Sequence, residues 1–372
     1  MAHVLLTGVT GFVGSELARS LAFDPNVERV TLLVRPLAGA PPEERLARLV
    51  TQWARFVAVP PPELARKLGV VSHDLLDVRP PALARDIDVV IHAAASTDLF
   101  EPLGASRRAN LFATQRCLAM ARSLPKLSRF VHVSTAYVAG TPRGIVTESQ
   151  PTPNSFHNHY ERSKAESEAA VRASDLPYVI ARPSIVVGRS DDGYAPRMRV
   201  LYSVWRAWLT GQVPRVPTDR HGWVDLVPID YVCDMLRLLA VAPEAVGHTF
   251  HVCAGEDRQR SDTIMRLAAS VFGVKPPPVS PPWVVPVLMN WPVRPFVPHQ
   301  LLQILDVMSW QVPYLGFRDR LFDTRQADKL MARYGLTRPR FAEYGQNIFQ
   351  FCRDTAWGKK ARRVHAAADA AA

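Results

Sequence analysis

The apolar positions of this chain come in short unbroken runs that alternate with longer amphipathic stretches. Short runs rich in Val, Ile and Leu predict strands buried on both faces of a sheet. They fall at Val4–Thr7, Val30–Val34, Gly69–Ser72, Val89–His92, Arg129–Ser134 and Tyr178–Arg182. Helical patterns fill the gaps at Gly14–Ala22, Pro42–Phe56, Arg107–Ser123 and Tyr160–Ala173. This alternation predicts an α/β fold: a doubly wound parallel Rossmann sheet with right-handed crossovers, binding its ligands at the carboxyl ends of the strands.

The pattern changes after Gly188. Residues 189–223, rich in Trp and Arg, read as a substrate-side insertion. An apolar run resumes at Asp225–Ile229, and Phe250–Cys253 reads as one more strand. From Lys275 to Pro298 proline is dense, which excludes a long regular helix or a central strand. Amphipathic helices are expected around Arg325–Tyr334 and Phe341–Arg353. The expected organisation is a nucleotide-binding domain over 1–255, a smaller and mostly helical substrate-binding or cap region over 256–358, and a disordered alanine-rich tail over 359–372.

Composition narrows the partners. The chain has 372 residues and is 48% hydrophobic, enough for a substantial core. Its net charge is +11, carried mostly by arginine, since only 7 of 45 basic residues are lysines. Such a balance gives a solvated basic surface and attracts polyanions such as NADP, coenzyme A or an acidic carrier protein. Nucleic acid is not expected, because the one basic run is Lys359–Arg363. The four cysteines, Cys117, Cys233, Cys253 and Cys352, are scattered and form no metal motif, so no metal is expected. They read as small buried hydrophobes in a reducing compartment. The first strand begins near residue 3, leaving no room for a signal peptide, and a cytoplasmic protein is expected. No apolar run is long enough for a transmembrane segment. The Pro/Trp segment Trp283–Phe296 leaves open peripheral contact with a membrane or a carrier.

Candidate chemistry starts at Thr7–Gly14, TGVTGFVG. Gly8, Gly11 and Gly14 lie between a strand and a helix, where glycines let backbone approach a pyrophosphate and aim a helix N-terminus at it. The NAD version of this fold carries an acid about 20 residues further on, at the ribose. Here the second strand ends Leu33-Val34-Arg35, and a guanidinium there pairs with a 2′-phosphate. NADP(H) is therefore expected.

Tyr160 and Lys164 stand four residues apart on a helix and share a face. A free phenol titrates near ~10, and a neighbouring cation lowers that value toward useful acid–base chemistry. Ser134 and Thr135 end a strand, Asn110 opens a helix after His92–Ala95, and Arg182–Ile185 follows the next strand, where backbone groups can hold a nicotinamide. Tyr202, Trp205 and Trp208 have helical spacing that core packing explains, with an acyl-tunnel wall as the sharper reading. His157 and His159 read as loop residues.

These residues resemble an extended short-chain dehydrogenase/reductase of the fatty acyl-CoA reductase and thioester reductase branch. The resemblance covers roughly residues 3–255. It rests on TGVTGFVG, LLVRP (Leu32–Pro36), IHAAASTDLFEPL (Ile91–Leu103), ANLFAT (Ala109–Thr114), FVHVSTAYV (Phe130–Val138), YERSK (Tyr160–Lys164), ARPSIVVG (Ala181–Gly188) and VDLVPIDYV (Val224–Val232). It implies Thr135, Tyr160 and Lys164 as catalytic hydroxyl, general acid and supporting lysine, with Asn110 supporting the proton relay. It also implies Gly8, Thr10, Gly11, Phe12, Val13 and Gly14 as the phosphate loop, Arg35 as the 2′-phosphate contact, and Asp74 and Leu75 at the adenine edge. Ala93 and Ala94 would lie beside the ribose and Pro183, Ser184 and Ile185 beside the nicotinamide, with Ser134 the second candidate for the catalytic hydroxyl.

The activity the resemblance implies is NADPH-dependent reduction of an acyl thioester, on coenzyme A or a carrier protein, to an aldehyde and on to an alcohol if a second hydride follows. The acyl pocket is expected from Gly188–Trp223 and the region after Gly255. The alternatives are another extended reductase, of the hydroxysteroid dehydrogenase or nucleotide-sugar epimerase kind, and a non-catalytic NADP-sensing protein. Oligomeric state, acyl chain and carrier are not legible.

Overall fold

The computed structural model describes residues 2–36, 41–54, 62–149, 153, 155–198, 201–213, 215–290, 292–297 and 320–360, together with Leu302, Leu305, Ser309 and Tyr314. Seven strands form one sheet: β1 (Ala2–Thr7), β2 (Val27–Val34), β3 (Leu68–Ser72), β4 (Val89–His92), β5 (Arg129–Val133), β6 (Tyr178–Pro183) and β7 (Thr249–Val252). Their spatial order is β7-β6-β5-β4-β1-β2-β3, with every pair parallel. The order reverses between β1 and β4, and the crevice at that switch point is where such sheets bind ligands.

The longer helices are α1 (Phe12–Phe23), α2 (Pro42–Ala54), α3 (Ala113–Arg122), α4 (His159–Arg172), α5 (Leu201–Leu209), α6 (Ile229–Val241), α7 (Ser261–Phe272), α8 (Arg325–Tyr334) and α9 (Phe341–Asp354). Strand alternation sends Val4 and Leu6 into one core with Leu17, Trp53 and Leu236, and Leu5 into the opposite core with Val90, Leu118 and Val171. All residues of β4 and β5 are buried, as a parallel sheet covered on both faces requires. The strands lie within a few residues of their sequence-based positions. So do the helices, with residues 55 and 56 of the second expected one outside the described residues.

Three details differ from expectation. Asn110 does not open a helix. Its helix starts at Leu103, behind Pro102, and Asn110 lies inside it in a π-helical turn, Arg108–Phe112. His159 is the first residue of α4 rather than a loop residue, because Asn158 caps that helix by accepting the Glu161 N–H at 3.0 Å. Helix α8 packs Ala327, Leu330 and Met331 into the core beneath the sheet, not into a cap.

A separate core forms on the substrate side. It joins Tyr202, Trp205 and Trp208 of α5 to Ile264 and Ala268 of α7 and to Phe341, Tyr344 and Ile348 of α9. The three aromatics are thus core residues. The Tyr202 hydroxyl accepts the Gly188 N–H at 2.7 Å and anchors the insertion where it leaves the sheet. Among the described residues the Pro-rich stretch holds a two-residue strand, Val279–Ser280, a six-residue helix, Val284–Met289, preceded by the exposed Trp283, and a 3₁₀ turn, Arg294–Phe296. Residues 361–372 of the expected tail lie outside the described residues.

Candidate active site

The glycine turn follows β1 at the switch point. Gly8 has φ +76°, and a Cβ there would lie 2.5 Å from the Ala93 carbonyl carbon and oxygen. A Cβ on Gly14 would fall 2.2 Å from the Gly8 carbonyl oxygen. Side chains are excluded by contact, so backbone lines the turn, and Thr10, Phe12 and Val13 stand on it. Helix α1 begins here with no side-chain cap and no acid in its first turn. Its unpaired N–H groups and dipole fit a pyrophosphate.

β4 supplies the opposite lip. Thr7 Oγ1 accepts the Ala94 N–H at 3.1 Å and lies 2.8 Å from His92 Nδ1, while His92 Nε2 lies 3.1 Å from Thr114 Oγ1. Burial, with Lys164 second, pushes the imidazole down to about 3, so it is neutral. We assign its proton to Nε2, because the Thr7 hydroxyl proton is then free to bond Nδ1. This chain fixes Ala93 and Ala94 beside the glycine turn.

At the end of β2, Arg35 is exposed, and the Arg45 guanidinium of α2 donates to its carbonyl. Burial, then Arg35, then Arg48 lower the Arg45 pKa, which marks the three guanidinium groups as a cluster. Asp74 and Leu75 follow β3; the Asp74 carboxylate accepts the Leu76 N–H at 3.0 Å, and Leu75 packs on the core.

The catalytic candidates converge beside β5 and β6. Ser134 and Thr135 are buried, and the Ser134 N–H donates to Ala181 at 2.7 Å, extending the β5–β6 pairing. Thr135 caps a short 3₁₀ turn by accepting the Tyr137 N–H at 3.3 Å, and its hydroxyl reaches the Pro183 carbonyl at 3.4 Å. Burial raises the Tyr160 phenol to about 12, against the hydrogen bond from Thr135, which lowers it, and with Glu161, which raises it. Lys164, pushed down to about 8 by burial against the pull of Glu168, donates to the Val133 carbonyl at 2.8 Å, two residues before Thr135. The expected lowering of the phenol by the lysine is not seen here: the groups acting on Tyr160 are Thr135 and Glu161.

Asn110 acts on backbone. Its Oδ1 accepts the Ser96 N–H at 2.8 Å, and its Nδ2 donates to the Ser96 carbonyl at 3.2 Å and to Ser163 Oγ at 2.8 Å. Ser163 in turn donates to the Tyr160 carbonyl at 2.9 Å. The π turn thus couples the β4 loop to the first turn of α4. Below that turn Glu168 is buried. Burial pushes its carboxyl up, but Arg182 at 2.9 and 2.7 Å and Arg172 at 2.7 Å hold it below its ordinary value.

Pro183, Ser184 and Ile185 lie on the side expected to face a nicotinamide. Ser184 N–H donates to Val252 at 3.3 Å, and Ile185 opens a short strand paired with Leu226–Pro228. Ile185 packs against the substrate-side core and against a further apolar cluster of Leu99, Ala136, Tyr137, Cys253 and Tyr314. Tyr160 packs on that same cluster. Sequence reasoning missed Arg45, Glu161, Tyr314 and the Thr7–His92 pair. The arginines at 45 and 48 on one helical face, after Arg35, were a usable signal. For Tyr314, 153 residues from its partner Glu161, there was none. Among the described residues, no group of side chains could hold a metal ion, and no helix is long and apolar enough to cross a membrane.

Sheet order, glycine cradle and Tyr–Lys helix together define an extended short-chain dehydrogenase/reductase with a site for a nicotinamide dinucleotide. The chain belongs to the male sterility protein family, whose NAD-binding domain model matches residues 6–236. It is 28% identical over 270 residues to fatty acyl-CoA reductase 1 of Xenopus laevis, covering 62% of this chain and 52% of that protein. The chain thus spans about half the length of the curated relative it matches. Its fold matches the terminal R domain of the myxalamid PKS–NRPS pathway with TM-score 0.81 at 23% identity, over 97% of this chain and 93% of that one. It also matches UDP-glucuronic acid 4-epimerase of Bacillus cereus in complex with NAD, with TM-score 0.68 at 19% identity, over 95% of this chain and 99% of that one.

Proposed function

We propose that the chain is an NADPH-dependent reductase of an acyl thioester, held on coenzyme A or a carrier protein, with an aldehyde as product. The observation that carries the substrate class is the apolar cluster of Leu99, Ala136, Tyr137, Cys253 and Tyr314 packed against Tyr160. The side chains packed around Tyr160 are mostly apolar, and the Tyr314 phenol among them is taken up by Glu161 and Asn158, so an acyl chain matches this side of Tyr160 better than a polar sugar does. The choice of phosphorylated cofactor rests on Arg35, with Arg45 folded against it and no carboxylate at the strand end. Of the proteins named above, fatty acyl-CoA reductase 1 supports the thioester.

When bound, the reduced cofactor supplies a hydride at its nicotinamide ring. The protein's residues do the rest. The glycine turn and α1 would hold the pyrophosphate, and Pro183–Ile185 would flank the ring. Thr135 and Tyr160 would offer hydrogen-bond donors to the oxygen on which negative charge develops, a stabilisation strongest in the transition state. A phenol at about 12 stays protonated at neutral pH, as a proton donor for reduction must. Lys164, whose ammonium keeps two donors beyond the one given to the Val133 carbonyl, would bond the ribose of the cofactor. Collapse of the tetrahedral adduct then breaks the carbon–sulfur bond, expelling thiol.

The test is incubation of purified protein with NADPH and a series of acyl-CoA chain lengths, and with the same acyl groups on a carrier protein. Aldehyde should form in step with NADPH consumption. Turnover of a ketone or nucleotide sugar with none of any thioester would overturn the reading.

A further inference from the structure

We infer that Tyr314 and Glu161 form a latch that fixes the first turn of α4, and with it the phenol of Tyr160, in the geometry for proton donation. The inference deepens the proposed function and rests on Tyr160 being the proton donor. Glu161 follows Tyr160 and is fully buried. Its Oε1 accepts the Tyr314 hydroxyl at 2.7 Å, and its Oε2 accepts the His157 N–H at 2.8 Å and lies 3.2 Å from His157 Nδ1. The Tyr314 oxygen accepts from Asn158 Nδ2 at 2.5 Å, and Asn158 Oδ1 accepts the Glu161 N–H at 3.0 Å. Glu161, Tyr314 and Asn158 therefore close a ring of hydrogen bonds around the N-terminus of the catalytic helix.

Two features give this ring a role beyond packing. First, the same turn is gripped from its other side by Asn110 through Ser163, so the phenol hangs on a segment clamped twice. Second, Tyr314 joins the apolar cluster on which Tyr160 packs, with its ring edge-on to Tyr137 at 4.8 Å. One side chain thus contributes both to the proposed acyl wall and to the placement of the proton donor. The ionisable groups facing Glu161 are Tyr160 on α4, Tyr137 on the 3₁₀ turn, Arg320 on the strand Arg320–Phe322, Tyr314 and His157. The Glu161 charge raises the phenol's pKa and so favours its protonated form. Tyr314 and Glu161 are positioning residues: they act through Tyr160.

The test is a double-mutant cycle of Tyr314→Phe, Glu161→Gln and both together. Tyr314→Phe keeps the ring and its packing but leaves Asn158 Nδ2 and Glu161 Oε1 without their shared partner. It should lower kcat about tenfold while the NADPH dissociation constant and substrate KM stay within about twofold, the mark of a displaced donor. Because the hydrogen bonds form one ring, the double variant should lose no more than the worse single. A kcat within twofold of wild type, or losses that multiply, overturns the latch. Amide exchange at residues 157–161 supplies a readout without turnover: Tyr314→Phe should speed it at least tenfold, and unchanged exchange is equally fatal. If wild type reduces another carbonyl and no thioester, the proposed substrate fails, and the cycle is read on that carbonyl. An active wild type with an unaltered Tyr314→Phe fails the latch alone.

Discussion

The Ala93 carbonyl lies so close to Gly8 that a Cβ on Gly8 would stand 2.5 Å from both its carbon and its oxygen. The contact joins β1 to β4 across the switch point and leaves no room for even a methyl group. Gly8→Ala should therefore move the loop, at a cost of about 1–2 kcal/mol for the left-handed backbone before the collision is counted. Cofactor binding, followed by NADPH fluorescence, should be lost together with thermal stability. Gly144 shares the positive φ, at +84°, with nothing within 4 Å of its Cβ position. Gly144→Ala should cost stability alone, and NADPH affinity lost equally in both variants would contradict the cradle.

Arg35 and Arg45 make a second prediction. Arg45 reaches the Arg35 carbonyl, so its guanidinium stands at the strand end where a 2′-phosphate is expected. A charge-assisted hydrogen bond contributes about 1.5–3 kcal/mol, or roughly 10–100-fold in affinity. Arg35→Asp should cut the ratio of NADPH to NADH activity by about that factor, and Arg45→Ala should cut it less. An unchanged ratio in Arg35→Asp would remove the assignment of NADP.

For Tyr160 the expectation is a split between binding and chemistry. Tyr160→Phe removes the donor and keeps the ring against its apolar neighbours, so kcat should fall about 10²–10⁴-fold. NADPH titration should give nearly the wild-type affinity. Thr135→Ala should lower kcat less, because it removes one of the two donors proposed for the same oxygen. Substantial turnover by Tyr160→Phe would assign the proton to another group.

Local patterns were legible in the sequence, and long-range contacts were not. The buried parallel strands read directly as apolar runs, and Gly8, Arg35, Thr135, Tyr160 and Lys164 stand at the strand ends and helix face where those runs place them. Asn110 was found as a residue and misplaced as a helix opener, because a π turn leaves no periodic trace over five residues. The amphipathic pattern of α8 announces a helix but not which core it faces, and it faces the sheet. Arg45 reaches the Arg35 carbonyl from α2, and its one trace in the sequence is the helical spacing of Arg45 and Arg48. Glu161 and Tyr314 are 153 residues apart, and only the folded chain shows that a carboxylate beside Tyr160 has a phenol as its partner.

Glu148 gives a prediction in pH. Its carboxylate is buried and accepts the backbone N–H groups of His251 at 2.8 Å, Gln326 at 2.8 Å and Ala327 at 3.3 Å, tying β7 to the start of α8. Burial raises its pKa to about 7 despite those three donors, and the nearby Asp323 adds to the rise. A carboxyl raised on folding takes up a proton that the unfolded chain releases near its ordinary 4.5. Its contribution to stability is therefore fully present below about 4.5 and is lost as pH rises through about 7. The span is on the order of 3 kcal/mol. Glu148→Gln cannot titrate, so its unfolding free energy should decline less than that of wild type between pH 5 and pH 8. Denaturant unfolding at those two pH values measures the difference directly. Parallel declines in the two proteins would show that the buried carboxyl carries no proton in the folded state and that its three N–H donors outweigh its burial.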